Sequence, residues 1–338
     1  SFDWDWTGAE NGMTHLDPNW SLMAVSEKSI HDSLFQSDPT GNSRTVIGGM
    51  DMDQDGKHEV IITDYAGGRV IVYEYDLSNN AFDIVWMSPV VESRNHTSNP
   101  RTVNVGDLDG DGKHEIVFPS SHVDAEGFHI YEWDGVAGSD NYGTQPSSIC
   151  KTEVEICCGD DGSGFRGDHE RIDIFDIDGD GQQELITGIR RGSPRGTLVS
   201  SLGATDDIEH NSGGGLETWS MEFLTNNDLH GGGSPYQGLP ADLNGDGRYE
   251  ILNHHWNNFL FYPITATGPD SYVAPDTSAG AVDAFYKATG NDQVSLFGGN
   301  AYDVDGDGNH EAYFHSYGSW GVGAGDVWVV DYDAADTN

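Results

Sequence analysis

Asp107-Leu108-Asp109-Gly110-Asp111-Gly112-Lys113-His114-Glu115 is the stretch on which the reading of the whole chain turns. Carboxylates stand at its positions 1, 3, 5 and 9, and Gly110 and Gly112 let the backbone turn tightly enough for them to converge. Hard oxygen ligands in that number suit Ca²⁺, which takes six to eight oxygens in flexible geometry. The stretch recurs as Asp51-Met52-Asp53-Gln54-Asp55-Gly56-Lys57-His58-Glu59 and as Asp176-Ile177-Asp178-Gly179-Asp180-Gly181-Gln182-Gln183-Glu184. It recurs again as Asp242-Leu243-Asn244-Gly245-Asp246-Gly247-Arg248-Tyr249-Glu250 and as Asp303-Val304-Asp305-Gly306-Asp307-Gly308-Asn309-His310-Glu311. An EF-hand needs its last Glu at position 12 and helices on both sides, whereas here the Glu stands at 9 and opens an apolar run.

The five stretches begin at residues 51, 107, 176, 242 and 303, a period near sixty that signals a repeat architecture. Each unit reads as four strands. A short one enters the loop (Arg101–Gly106, Arg171–Phe175), and a second leaves it directly (Glu59–Thr63, Glu115–Phe118, Glu184–Thr187). A third is aromatic (Val70–Asp76, His129–Asp134, Val327–Asp333), and a fourth follows (Phe82–Trp86, Leu216–Met221). β-branched and aromatic residues bounded by Gly, Asn and Asp are strand signals, and no stretch shows helical periodicity. Four strands per repeat, radially repeated, describes a β-propeller blade with the acidic loop as its first hairpin. The fold expected is all-β, a propeller of five four-stranded blades in one domain over residues 1–338, with repeats starting near 45, 101, 170, 236 and 297. Residues 1–44 are expected to supply a closing strand, Phe2-Asp3-Trp4-Asp5-Trp6-Thr7, for the last blade, followed by a long connection.

The net charge of −42 arises from 57 acids against 15 bases, and the loops hold 19 of those acids. That balance excludes nucleic acid and anionic membrane as partners, since both need basic patches. No apolar run reaches the ~18 residues of a membrane helix. The chain begins at Ser1 without Met, which reads as a processed product, and Asn19-Trp20-Ser21 and Asn95-His96-Thr97 are glycosylation sequons. Cys150, Cys157 and Cys158 admit one local disulfide of Cys150 with either neighbour, or three thiols. Calcium loops fill readily in extracellular fluid, so the expected location is outside the cell.

Val105-Gly106-Asp107-Leu108-Asp109-Gly110-Asp111-Gly112-Lys113-His114-Glu115-Ile116-Val117 and its four counterparts resemble FG-GAP/VCBS-type repeats, the calcium-binding propeller repeats of integrin α-subunits and many secreted bacterial proteins. The likeness recurs across residues 46–318; of the literal FG-GAP letters only Phe297-Gly298-Gly299 is an echo. It implies about five structural Ca²⁺ ions. Asp107, Asp109, Asp111 and Glu115 would bind by side chain and Lys113 by its carbonyl. The same roles would fall to Asp51, Asp53, Asp55, Glu59 and Lys57; to Asp176, Asp178, Asp180, Glu184 and Gln182; to Asp242, Asn244, Asp246, Glu250 and Arg248; and to Asp303, Asp305, Asp307, Glu311 and Asn309. Asn244 keeps an oxygen but loses a charge, so the fourth site is expected to be the weakest.

The sequence displays no Gly-x-Ser-x-Gly elbow, His-Glu-x-x-His or phosphate loop, and carboxylate pairs for glycoside hydrolysis cannot be singled out among so many acids. Asn253-His254-His255-Trp256-Asn257-Asn258, with His315 and Trp320, is the most suggestive polar cluster. The function expected is therefore non-enzymatic: a secreted, calcium-stabilised propeller acting in adhesion or self-assembly, with strand exchange at the N-terminus as a route to homo-oligomers or filaments. A glycan or a surface protein would be its other ligand. The rival readings are a carbohydrate-binding module, on the strength of nine Trp and long Gly-rich connections, and a polysaccharide-degrading enzyme.

Overall fold

The second and third strands of the repeats are apolar without the alternation of a half-exposed sheet, because both of their faces are covered. A computed structural model of the protein describes residues 43–78, 80–91, 100–120, 127–151, 171–189, 196–225, 235–255, 260–274, 286–287, 296–316 and 327–331. It is a five-bladed β-propeller of antiparallel sheets. Blade 1 holds β1 (Val46–Met50), β2 (Glu59–Asp64), β3 (Arg69–Asp76) and β4 (Ala81–Met87). Blade 2 holds β5 (Asn104–Gly106), β6 (Glu115–Ser120), β7 (Gly127–Glu132) and β8 (Ser148–Cys150). Blade 3 holds β9 (Ile172–Phe175), β10 (Glu184–Ile189), β11 (Gly196–Leu202) and β12 (Trp219–Leu224).

Blade 4 holds β13 (Pro235–Ala241), β14 (Glu250–His255), β15 (Leu260–Gly268), β16 (Ser271–Val273) and β17 (Tyr286–Lys287). Both β16 and β17 pair with β15, near its end and its start respectively, so they form the fourth strand in two pieces. Blade 5 holds β18 (Leu296–Tyr302), β19 (Glu311–Ser316) and β20 (Val327–Val330) among the described residues. The expected closing strand, residues 2–7, lies outside the described residues.

The core is a set of layers between consecutive blades. Met52, Ile61 and Trp86 of blade 1 pack on Ile116, Phe118 and Tyr131 of blade 2. Val117, Phe128 and Ile130 of blade 2 meet Leu185, Leu202 and Trp219 of blade 3. Ile186 and Val199 meet Ile251, Tyr262 and Ile264 of blade 4, whose other face places Leu239 and Leu252 against Ala312 and Phe314 of blade 5. All residues of β6, β7, β10 and β11 are buried, as strands sandwiched on both faces must be. The first strand of blade 2 is shorter than the expected Arg101–Gly106, and ahead of it the Arg101 carbonyl accepts a hydrogen bond from the Thr45 hydroxyl (2.7 Å). The only helix among the described residues is a 3₁₀ turn at Tyr65–Gly67, and none of their helices is long and apolar enough to cross a membrane.

The acidic loops belong to this core through one residue each. The apolar residue between the first two loop acids is fully buried in blades 1 and 2 (Met52 and Leu108, 0% exposed) and nearly so as Ile177 and Leu243. Its counterpart in blade 5, Val304, is 64% exposed. Burying a side chain of this size stabilises by roughly 1.5–3 kcal/mol, and truncating one leaves a cavity as well. Leu108→Ala is therefore expected to cost about 2–5 kcal/mol and Val304→Ala under about 0.5 kcal/mol. Denaturant midpoints of the two variants check this; equal losses would contradict the layered core.

Candidate metal centres

Each loop is held in shape by four hydrogen bonds of its own, and the same four occur in all five copies. The Gly at position 6 (Gly56, Gly112, Gly181, Gly247, Gly308) donates its N–H to Oδ2 of the position-1 Asp at 2.9–3.2 Å. It does so with φ between 84° and 100°, a backbone region that only glycine enters without strain. The N–H at position 5 reaches Oδ1 of position 3, and the N–H at position 7 reaches Oδ1 of position 5. Finally, the backbone N–H of the buried apolar residue at position 2 donates to Oε2 of the loop glutamate: Met52 to Glu59, Leu108 to Glu115, Ile177 to Glu184, Leu243 to Glu250 and Val304 to Glu311.

Oδ2 of each position-1 Asp and Oε2 of each loop glutamate thus fasten the loop; Oδ1 of Asp176, Asp242 and Asp303 takes a further loop N–H, while in other copies the second oxygen has no protein donor. Oδ1 of Asp51 and Asp107, and Oε1 of Glu59, Glu115 and Glu311, are buried with no hydrogen-bond partner. A buried anionic oxygen without a donor is costly, and a cation placed among the loop carboxylates satisfies several at once. Asp107, Asp109, Asp111 and Glu115 offer oxygens all within 4.8 Å of one another, as do Asp176, Asp178, Asp180 and Glu184, then Asp303, Asp305, Asp307 and Glu311, and also Asp51, Asp53 and Asp55. These groups could hold metal ions, and all-oxygen donors of this charge fit a hard divalent cation. The fourth loop differs: Asn244 Nδ2 donates to Glu250 Oε1 at 3.2 Å, engaging an oxygen that is unpartnered in blades 1, 2 and 5.

At position 7 the described bond is the N–H to the position-5 acid, and the side chains diverge. Lys57 Nζ joins Asp55 to Glu74 (2.5 Å each), Lys113 Nζ joins Asp111 to Glu132, and Gln182 Nε2 donates to the Leu202 carbonyl. The outer flank of each of the first three loops is covered by the next blade. Gly138 N–H donates to the Asp53 carbonyl, Ile208 N–H to Asp109 Oδ2 and Asp270 N–H to Asp178 Oδ2, at 2.6–2.8 Å. Glu74, Glu132, Asp140 and Asp207 are acids at these flanks that the loop motif does not announce. The recurrence of Tyr73-Glu74-Tyr75 as Tyr131-Glu132-Trp133 is the signal that points to the first two. Each pairs in register with a loop glutamate, Glu74 with Glu59 and Glu132 with Glu115.

The other suggestive residues take ordinary places. Asn253 is buried and accepts the Thr197 hydroxyl across blades 3 and 4 (2.7 Å), while residues 256–258 and 320 lie outside the described set. Trp86, Trp133 and Trp219 are core residues whose indole N–H groups bond Gly143 O, Ser139 O and Ser148 Oγ. Cys150 is buried at the end of β8, and Cys157 and Cys158 fall outside the described residues. Along the loop side of blades 3 to 5 runs a row of four rings: Phe175 against Tyr249 (4.4 Å), Tyr249 against His310 (5.4 Å) and His310 against Tyr302 (6.5 Å). Tyr302, at its end, is 68% exposed.

Residues 51–118 match the family model described as FG-GAP-like repeat, and this match together with the five-bladed arrangement supports an FG-GAP/VCBS-type propeller. No curated protein matches the chain. Among solved structures it is similar to a Bacillus licheniformis rhamnogalacturonan lyase PL11, at 16% identity and TM-score 0.40, covering 85% of this chain and 57% of that one. It is also similar to the rhamnogalacturonan lyase YesW, at 14% identity and TM-score 0.38, covering 81% of this chain and 56% of that one. The chain thus spans a little over half the length of each. Both are enzymes on a polysaccharide, and the expectation of a non-enzymatic adhesion or self-assembly protein is corrected accordingly. That expectation leaned on the lack of a contiguous catalytic motif. A propeller gathers its functional groups from different blades, so a site on it leaves no such motif in the sequence.

Burial, reinforced by neighbouring acids, raises four loop glutamates above the ordinary value: Glu59 to about 7, Glu184 to about 9, Glu115 well above it, and Glu250 in the same direction. An acid whose folded pKa lies above its unfolded value of about 4.3 favours the fold fully only below the latter, and loses that contribution as pH rises through the folded value. The metal-free protein is therefore expected to melt at progressively lower temperature between about pH 5 and 9. Calorimetric scans in chelator check this; a flat or rising midpoint would contradict it.

Proposed function

We propose that each loop binds one Ca²⁺ and that the chain is a calcium-stabilised propeller, working outside the cell, whose ligand is a polysaccharide. The calcium part is carried by the buried, unpartnered second carboxylate oxygens in the loops of blades 1, 2 and 5. The position-7 carbonyls of Lys57, Lys113, Gln182, Arg248 and Asn309 would complete the oxygen sets. Bound calcium would neutralise acids that otherwise repel, and would tie each first hairpin to the core through the position-2 residue. Fifteen bases in the whole chain leave the cation as the chief source of positive charge at these loops. Sites of this kind with modest affinity fill where calcium is abundant, which supports the extracellular placement.

Saturating calcium is expected to raise the melting temperature by more than about 10 °C, since each site filled to a hundred times its Kd adds about 2.7 kcal/mol. The fourth site is expected to be the weakest, and Asn244→Asp to strengthen it. Calorimetric titration checks the order; five equal sites, or melting indifferent to a chelator, would contradict the calcium reading.

The polysaccharide part is carried by the ring row Phe175–Tyr249–His310–Tyr302, whose exposed end offers an apolar face with polar edges to a sugar. Rhamnogalacturonan, the polymer named for both similar structures, is the first to test. Binding in calcium is expected, and Tyr302→Ala is expected to weaken it roughly two- to tenfold without altering the melting temperature. Affinity electrophoresis across neutral and acidic polysaccharides decides this, and release of new chain ends shows whether the propeller also cleaves. Failure to bind any polysaccharide would overturn the proposal.

A further inference from the structure

The loop of blade 2 has a second acidic flank, facing away from Asp107 and Glu115. Asp109 and Asp111 meet Glu132 and Asp207 there, and the four offer oxygens all within 4.8 Å of one another. The contributions come from three elements: the loop, the end of β7, and the connection of blade 3. That connection is fastened at this point, because the N–H of Ile208 donates to Asp109 Oδ2 at 2.8 Å. Proximity of acids alone would mean little, since exposed carboxylates cluster without a ligand.

Glu132 is what sets this group apart. Its side chain is 0% exposed, and its Oε2 is buried without a hydrogen-bond partner. The other oxygen accepts Lys113 Nζ at 3.1 Å, and the same ammonium contacts Asp111. A fully buried carboxylate with one oxygen unpartnered, in reach of three more acids, is a group that a further cation would satisfy. One monovalent ammonium against four carboxylates leaves the group strongly negative. Lys113 can also leave, because 32% of its side chain is exposed. Blade 1 repeats the arrangement: Lys57 bridges Asp55 and Glu74, and Asp140 from the blade 2 connection has a buried Oδ1 without a partner.

We propose that blade 2 binds a second divalent cation of the calcium class outboard of its loop, held by Asp109, Asp111, Glu132 and Asp207. Asp109 and Asp111 then bridge two ions. The outer ion ties the blade 3 connection to blade 2, and Lys113 is a tethered counter-charge that swings to solvent as the ion enters. This rests on the calcium reading of the loops, because two ligands are shared.

The test is calcium titration of the full chain by calorimetry, with the bound ions counted by native mass spectrometry. Asp207→Asn, at an exposed position that the fold does not need, and Glu132→Gln are each expected to bind one ion fewer than the unaltered chain. Lys113→Met is expected to tighten that same ion at least about tenfold, as removal of a unit charge beside a divalent ion requires. An unchanged count and affinity in Asp207→Asn overturns the outer site while leaving the loop sites standing. A chain that binds no calcium at all overturns both, so the two failures are told apart.

Discussion

The structure depends on one buried carboxylate used twice. In every blade the loop glutamate accepts the backbone N–H of the apolar residue at position 2 with one oxygen. In blades 1, 2 and 5 its other oxygen is buried without a partner. The first contact places Met52, Leu108, Ile177 and Leu243 in the layers between blades; the second creates a demand for positive charge. Burial raises the pKa of Glu59, Glu115 and Glu184, so without a cation the propeller must keep several glutamates protonated or bear buried charge. Metal and core are thereby coupled through single residues, and a loop that looks like a surface feature becomes part of what holds neighbouring sheets together.

From that constraint the layout of the blades follows. The glutamate is the first residue of the second strand, so its burial sets the register of the blade and places Glu74 and Glu132 of the third strand directly opposite. The next blade then lays its own connection over the loop, through Gly138, Ile208 and Asp270. Each of the first three acidic loops is consequently a junction of two blades. The fourth loop follows a different pattern, with Asn244 turned onto Glu250 and His310 N–H donating to the Asp242 carbonyl at 2.8 Å. The ring row across blades 3 to 5 passes through that same region, since Tyr249 and His310 both occupy position 8 of their loops.

Much of this is legible in the sequence alone. Five nonapeptides at a period near sixty, each followed at once by a β-branched run, specify the hairpin, the repeat and the propeller, because loop ligands and strand faces have fixed local periods. The inter-blade contacts were not legible. Glu132 and Asp207 lie far apart in sequence and meet only when blades 2 and 3 stack, and neither belongs to the loop motif. The aromatic row was hidden for the same reason. Phe175, Tyr249, His310 and Tyr302 come from three blades, while the Trp residues that suggested sugar stacking include Trp86, Trp133 and Trp219, which fill the core. The absence of a contiguous catalytic motif was an equally poor guide, because a propeller assembles its surfaces across blades.

A crystal structure determined in calcium tests the central claim most directly. The account predicts density for an ion in the blade 2 loop, with Glu115 Oε1 and Asp107 Oδ1 among oxygens at about 2.3–2.6 Å, and Glu115 Oε2 still on the Leu108 N–H. A loop that keeps its shape with both glutamate oxygens on protein or water donors, and no ion between the carboxylates, would contradict it.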